Sequence, residues 1–119
     1  MRRVRIEDAW PASWRYSYAY DLQEVYGETA RYGYVYAYQA RRRAALALVC
    51  EAMPPGSRVL DVAAAQGNFT LALAELGYDV TWNDLRADLA GYVERKREHG
   101  VVHYLPGNIF ESRIPALFD

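Results

Sequence analysis

Residues 58–69 constrain the fold of this chain more than any other stretch. Arg58-Val59-Leu60-Asp61-Val62 is a short apolar run with an acid near its end, and it passes directly into Ala63-Ala64-Ala65-Gln66-Gly67. Asn68 to Leu76 is composed as a helix and meets Gly77, a residue suited to the position just past a helix end. A strand, a loop of small side chains and a helix start, in that order, form a site for a nucleotide-like ligand. Small side chains admit the ligand close to the backbone, and the first turn of the helix offers free N–H groups.

The same rhythm continues downstream. Tyr78 to Trp82 is a second apolar strand, Leu85 to Glu98 a second helix ending in Arg95-Lys96-Arg97, and Val101 to Leu105 a third strand. The cations in that last turn suit the negative end of the helix dipole. Strand, helix, strand, helix, strand predicts a parallel sheet joined by right-handed crossovers.

Glycine spacing separates two kinds of loop. A dinucleotide-binding G-x-G-x-x-G would need its third glycine at position 68, which is Asn68. Small residues instead stand at 63, 65 and 67. Val59-Leu60-Asp61-Val62-Ala63-Ala64-Ala65-Gln66-Gly67-Asn68-Phe69 thus resembles motif I of the class I S-adenosylmethionine-dependent methyltransferases, with alanine in place of the first two glycines. A positive φ at Ala65 would strain any residue but glycine.

Two further segments fit the resemblance. Asp84 lies seventeen residues after Gly67, in Val80-Thr81-Trp82-Asn83-Asp84-Leu85, where the family has an acid that accepts hydrogen bonds from both ribose hydroxyls. Pro106-Gly107-Asn108-Ile109-Phe110 is similar to the segment beside the adenine amino group, with Asn108 replacing the usual Asp. The resemblance, over residues 39–119, implies a cofactor site built from Asp61, Ala63, Ala65, Gln66, Gly67, Asn68, Phe69, Asp84, Leu85, Asn108 and Ile109. It implies S-adenosylmethionine as cofactor and an incomplete three-layer αβα Rossmann-like sheet, with strands in the order 3-2-1 and the start of a fourth at Ile114 to Asp119. Taken singly, Asp61 and Asp84 also suit a strand end and a helix N-cap.

Upstream of Pro54-Pro55-Gly56, a turn signal, the composition differs. Residues 1–53 hold eight of the fourteen basic residues, eight of the eleven tyrosines and two of the three tryptophans. Two domains are expected: a Tyr/Arg-rich helical extension over residues 1–53 and a cofactor-binding half over 54–119. Residues 39–53 are rich in helix formers, with Leu46, Val49, Cys50 and Met53 as one buried stripe. Tyrosines at 16, 18 and 20 and at 32, 34, 36 and 38 alternate like a strand, yet 32/36 and 34/38 are helical pairs. The run feeds into a strong helix, so a helix is expected there. In the family such extensions often cover the cofactor and build the acceptor pocket; packing with wet hydroxyls explains the tyrosines as well, and a solvated face explains Arg41 to Arg43.

Composition excludes several classes. A net charge of −1 speaks against a nucleic-acid binder. The longest apolar run, Ala44 to Cys50, is far short of the roughly 20 residues that span a bilayer, and no secretory leader is recognisable. A cytoplasmic location is the default, and no metal is expected, because no cluster completes a site with His99 and His103. The expected function is methyl transfer to a small-molecule or sugar-like acceptor, with the catalytic residues unassigned. The alternatives are an NAD-dependent oxidoreductase and a non-catalytic cofactor-binding module completed by a partner. The ending at Phe118-Asp119 resembles the opening of a fourth strand, so a fragment needing a C-terminal half or a complementing chain is expected.

Overall fold

The computed structural model describes residues 1–28, 32–114 and 117–119. Its elements are α1 (Ala12–Glu24), α2 (Tyr32–Ala52), β1 (Arg58–Val62), α3 (Asn68–Glu75), β2 (Asp79–Asp84), α4 (Ala90–Lys96) and β3 (Val101–Pro106). The three strands form one parallel sheet in the order β1-β2-β3, with Leu60 beside Thr81 and Thr81 beside His103. This is the expected α/β fold with its 3-2-1 order.

Two elements differ from their sequence expectation. The second strand starts one residue later and runs on to Asp84, which places that acid at the strand's end. The helix expected over 85–98 is shorter. Arg86 takes an extended ψ of 80°, a 3-10 turn covers Ala87–Leu89, and α4 begins only at Ala90. Leu85 is therefore outside any helix.

Alternation along β2 turns Val80 and Trp82 toward the helices and Thr81 and Asn83 to the opposite face. Leu73, Ala74, Tyr78 and Val80 pack with Leu46, Val49 and Met53 of α2, while Leu71, Trp82 and Val93 form a neighbouring cluster. In both clusters the helices cover one face of the sheet, so the described residues supply two of the three expected layers. A third cluster joins Val4 and Trp10 to Leu89 and Tyr92, docking the chain's first residues on α4. Trp14 lies so close that a Cβ on Gly91 would stand 2.8 Å from its ring.

Cys50 corrects the sequence reading. Its three stripe partners reach the core, but the thiol is exposed, because the buried arc of α2 is narrower than four residues. The tyrosine segments are helical, as expected. No fourth strand forms among the described residues, and Pro115 and Ala116 of that segment lie outside them. Asp119 nevertheless donates its N–H to the Arg58 carbonyl at 3.0 Å and accepts the Arg58 N–H at 2.8 Å. Ser57 gives its carbonyl to Asp79 of β2, so by alternation these Arg58 groups face away from β2. Among the described residues, no helix is long and apolar enough to cross a membrane.

Candidate functional site

The loop after β1 is held in an unusual backbone state. Ala63 (φ 57°), Ala65 (φ 48°) and Gly67 (φ 71°) all lie in the left-handed region. For alanine this costs about 1–2 kcal/mol per residue, and such strain persists only where its surroundings enforce it. They do so here. Ala64 donates its N–H to the Asn83 carbonyl at 3.0 Å, and Ala65 donates its own to Asp84 Oδ2 at 2.7 Å. Gly67 precedes α3, and a Cβ there would stand 2.9 Å from Val93 Cγ2, so close packing as well as φ demands glycine.

Asp84 organises the ends of the strands. One oxygen takes the Ala65 N–H, the other the Arg86 N–H at 2.8 Å, and the residue is only 9% exposed. Its carbonyl accepts from Gly107 N–H at 3.2 Å and from the Tyr104 hydroxyl at 3.0 Å, tying β2 to the turn after β3. Asp61 accepts a bond from the Thr70 hydroxyl at 2.6 Å. Burial pushes its carboxyl up, more than the Thr70 bonds pull it down, and the nearby Asp84 charge adds to the rise.

The remaining expected residues cluster at this same end of the sheet, beyond the carboxyl ends of parallel strands, where open α/β sheets bind ligands. Leu85 is exposed despite its apolar side chain, Ile109 is half-buried, and Phe69 packs edge-on against Tyr38. Asn108 is already engaged locally: its Oδ1 accepts the Phe110 N–H at 3.1 Å and its Nδ2 donates to Glu111 at 2.9 Å. Asn68 and Gln66 point the other way, toward α1.

That direction reveals residues the sequence reading missed. Asp21 and Lys96, both fully buried, pair at 2.7 Å. Asp21 also accepts from the Tyr92 hydroxyl and from Asn68 Nδ2, each at 2.7 Å, and Lys96 donates to Asn68 Oδ1 at 2.7 Å. Burial pulls the Lys96 ammonium down, against the opposing pull of Asp21. Glu24 Oε2 accepts from Gln66 Nε2 at 3.0 Å and Asn68 Nδ2 at 3.1 Å, while Tyr34 donates its hydroxyl to Oε1. The N-terminal segment is thus bonded directly to the loop. Spacing was the one available signal: Ser17, Asp21 and Glu24 are buried at helical intervals, a polar stripe that hydrophobic periodicity overlooks.

Two clefts flank the loop and share Glu24, Ala65 and Gln66. One, of about 260 Å³, is lined further by Tyr38, Arg41, Ala63 and Phe69. The other, of about 270 Å³, is walled by Tyr16, Tyr20, Tyr34 and Arg86. Tyr36 lies outside both and is exposed.

No protein-family model matches the sequence, and no curated protein does. Solved structures do match in fold. A TehB-like SAM-dependent methyltransferase from Corynebacterium glutamicum is similar at 24% identity and a TM-score of 0.61, over 90% of this chain and 51% of that one. Magnesium protoporphyrin IX methyltransferase from Synechocystis PCC 6803, solved with bound SAM, gives a TM-score of 0.65 at 16% identity, over 95% of this chain and 62% of that one. The 1,6-didemethyltoxoflavin-N1-methyltransferase of Burkholderia thailandensis, solved with its acceptor and S-adenosylhomocysteine, gives 0.54 at 26% identity, over 96% and 50%. The chain has the fold of SAM-dependent methyltransferases and spans about half the length of such structures.

Proposed function

We propose that this chain binds S-adenosylmethionine across the carboxyl ends of its strands and forms the cofactor half of a methyltransferase acting on a small-molecule acceptor. The observation that carries this reading is the loop at 63–67. It keeps three alternating left-handed residues although two are alanines, and it is bonded through Ala65 to the buried Asp84.

The residues present fit the cofactor. Each Asp84 oxygen uses one lone pair on a backbone N–H and retains another for a ribose hydroxyl. Leu85 and Ile109 offer apolar surface for a purine, and Asn108 Oδ1 keeps a lone pair for an exocyclic amine. Asp61, Ala63, Gln66, Gly67 and Phe69 shape the methionine end, with Asp61 as the acid at the end of β1, while Asn68 steadies the start of α3 through its bonds to Asp21, Glu24 and Lys96. When bound, S-adenosylmethionine supplies a methyl group made electrophilic by its sulfonium. The protein's part is to hold that group and the acceptor in line and to keep water out, which lowers the barrier by prepaid orientation. In this reading residues 1–53 form a cover over the cofactor half at 54–119, and strands beyond 119, or a complementing chain, complete the sheet.

Asp84→Asn tests the assignment, since it removes one acceptor oxygen and changes little volume. The variant should bind S-adenosylhomocysteine about 1–3 kcal/mol more weakly than the wild type by calorimetry, with Tm reporting any separate effect on the fold. Equal affinities would withdraw Asp84 from the site.

A further inference from the structure

We propose that the cleft walled by Tyr16, Tyr20 and Tyr34 binds a cationic amine, with Glu24 as its counter-charge, and that the acceptor class is therefore an amine. The inference rests on the methyltransferase reading for its chemistry and on the cleft alone for its binding.

The walls are continuous. Tyr16 and Tyr20 pack at 5.1 Å between ring centroids with hydroxyls 3.1 Å apart, and Tyr20 meets Tyr34 at 6.3 Å. Aromatic faces attract cations and repel anions. Glu24, at the back of the cleft, is 4% exposed and receives three side-chain hydrogen bonds, all from neutral donors. Two fall on Oε2 and one on Oε1, so Oε1 retains acceptor capacity. Among the described residues no Lys or Arg forms an ion pair with Glu24; Lys96 is committed to Asp21 at 2.7 Å. Arg86, on the rim, is paired with Asp88 at 3.5 Å. The cleft thus sets the Glu24 carboxylate inside an aromatic wall, one side chain from the loop residue Gln66; the cations nearest it are Arg86 in the same wall and Lys96 behind, and each has its own carboxylate partner. Its volume of about 270 Å³ suits an amine with a small carbon skeleton.

The step balances. A bound ammonium hands one proton to the Glu24 carboxylate, which frees the nitrogen lone pair. The N–C bond then forms as the S–C bond breaks, and that bond's electron pair stays on sulfur. The products are a methylated ammonium, a neutral thioether and a protonated Glu24, which gives its proton to solvent as the product leaves.

The test is an NMR titration of the 119-residue chain with benzylammonium chloride, followed on the tyrosine rings, with benzyl alcohol and benzoate as neutral and anionic isosteres. Benzylammonium should bind saturably and about tenfold more tightly than the alcohol, as for a charged hydrogen bond, and benzoate should not bind. Tyr16→Leu and Tyr20→Leu should each weaken it about threefold, and Glu24→Gln should abolish the preference for the cation. Equal binding of amine and alcohol, or unaltered binding in both tyrosine variants, would overturn the proposal, and those variants decide if Glu24→Gln does not fold. S-adenosylhomocysteine titrated into the same samples separates the two readings. Its binding without amine selectivity sinks this inference alone, and amine selectivity without its binding sinks the cofactor reading.

Discussion

Asp61 is a carboxylate that burial pushes toward its protonated form, although Thr70 bonds to one of its oxygens. A folded-state pKa above the unfolded one means that the residue's stabilising contribution is present below the unfolded value and lost as pH rises through the folded one. At neutral pH Asp61 therefore acts against the fold. Asp61→Asn, which can still accept the Thr70 hydrogen bond, should raise Tm at pH 7, by up to about 1 kcal/mol of stability. The gain should vanish near pH 3, and S-adenosylhomocysteine affinity should fall. A clear loss of Tm at pH 7 would contradict this account of Asp61. The neighbouring alanines show what was legible residue by residue. Small side chains at 63, 65 and 67 identified the loop, and the left-handed conformations of Ala63 and Ala65 are those that glycine would take without strain. The anchors that hold them there come from Asn83 and Asp84, far along the chain, and no local pattern discloses such partners.

At the scale of elements, α1 carries the less readable part of the site. The strands and α3 follow from apolar pattern, and Gly77 stops the helix as expected. The stripe of α1 that faces inward is Ser17, Asp21 and Glu24, which resembles a solvated face until Lys96, Asn68 and Gln66 are placed opposite. The break before α4 was hidden for a related reason, since Asp84 captures the Arg86 N–H at 2.8 Å and turns the chain away from a helix. The buried pair yields a test of how α1 is attached. Lys96→Met leaves Asp21 buried without its cation and should cost about 3–5 kcal/mol by denaturant unfolding. Adding Asp21→Leu should recover much of that loss. If the double variant is as unstable as the single, the pair is not what docks α1.

Over the whole molecule, tyrosines pack within the N-terminal segment and, through Tyr38 on Phe69 and Tyr92 on Asp21, join it to α3 and α4. Burial is the main cause that pushes Tyr26 and Tyr38 up to about 12, and it also raises Tyr34 and Tyr92. The folded chain keeps protons that the unfolded chain releases near pH 10. These groups therefore support the fold fully below pH 10, and their contribution falls as pH rises through 12. Urea midpoints should hold steady to about pH 9 and drop between roughly pH 10 and 12, and Tyr38→Phe should shrink the drop. A midpoint independent of pH across that window would remove the tyrosines from the account.

If the strand ends form one S-adenosylmethionine site, amide NMR mapping of the 119-residue chain with S-adenosylhomocysteine, beside NADH, reads it most directly. Saturable shifts are expected at 63–69, 84–85 and 108–109 with S-adenosylhomocysteine and none with NADH. Shifts elsewhere, or saturation by NADH alone, would contradict it.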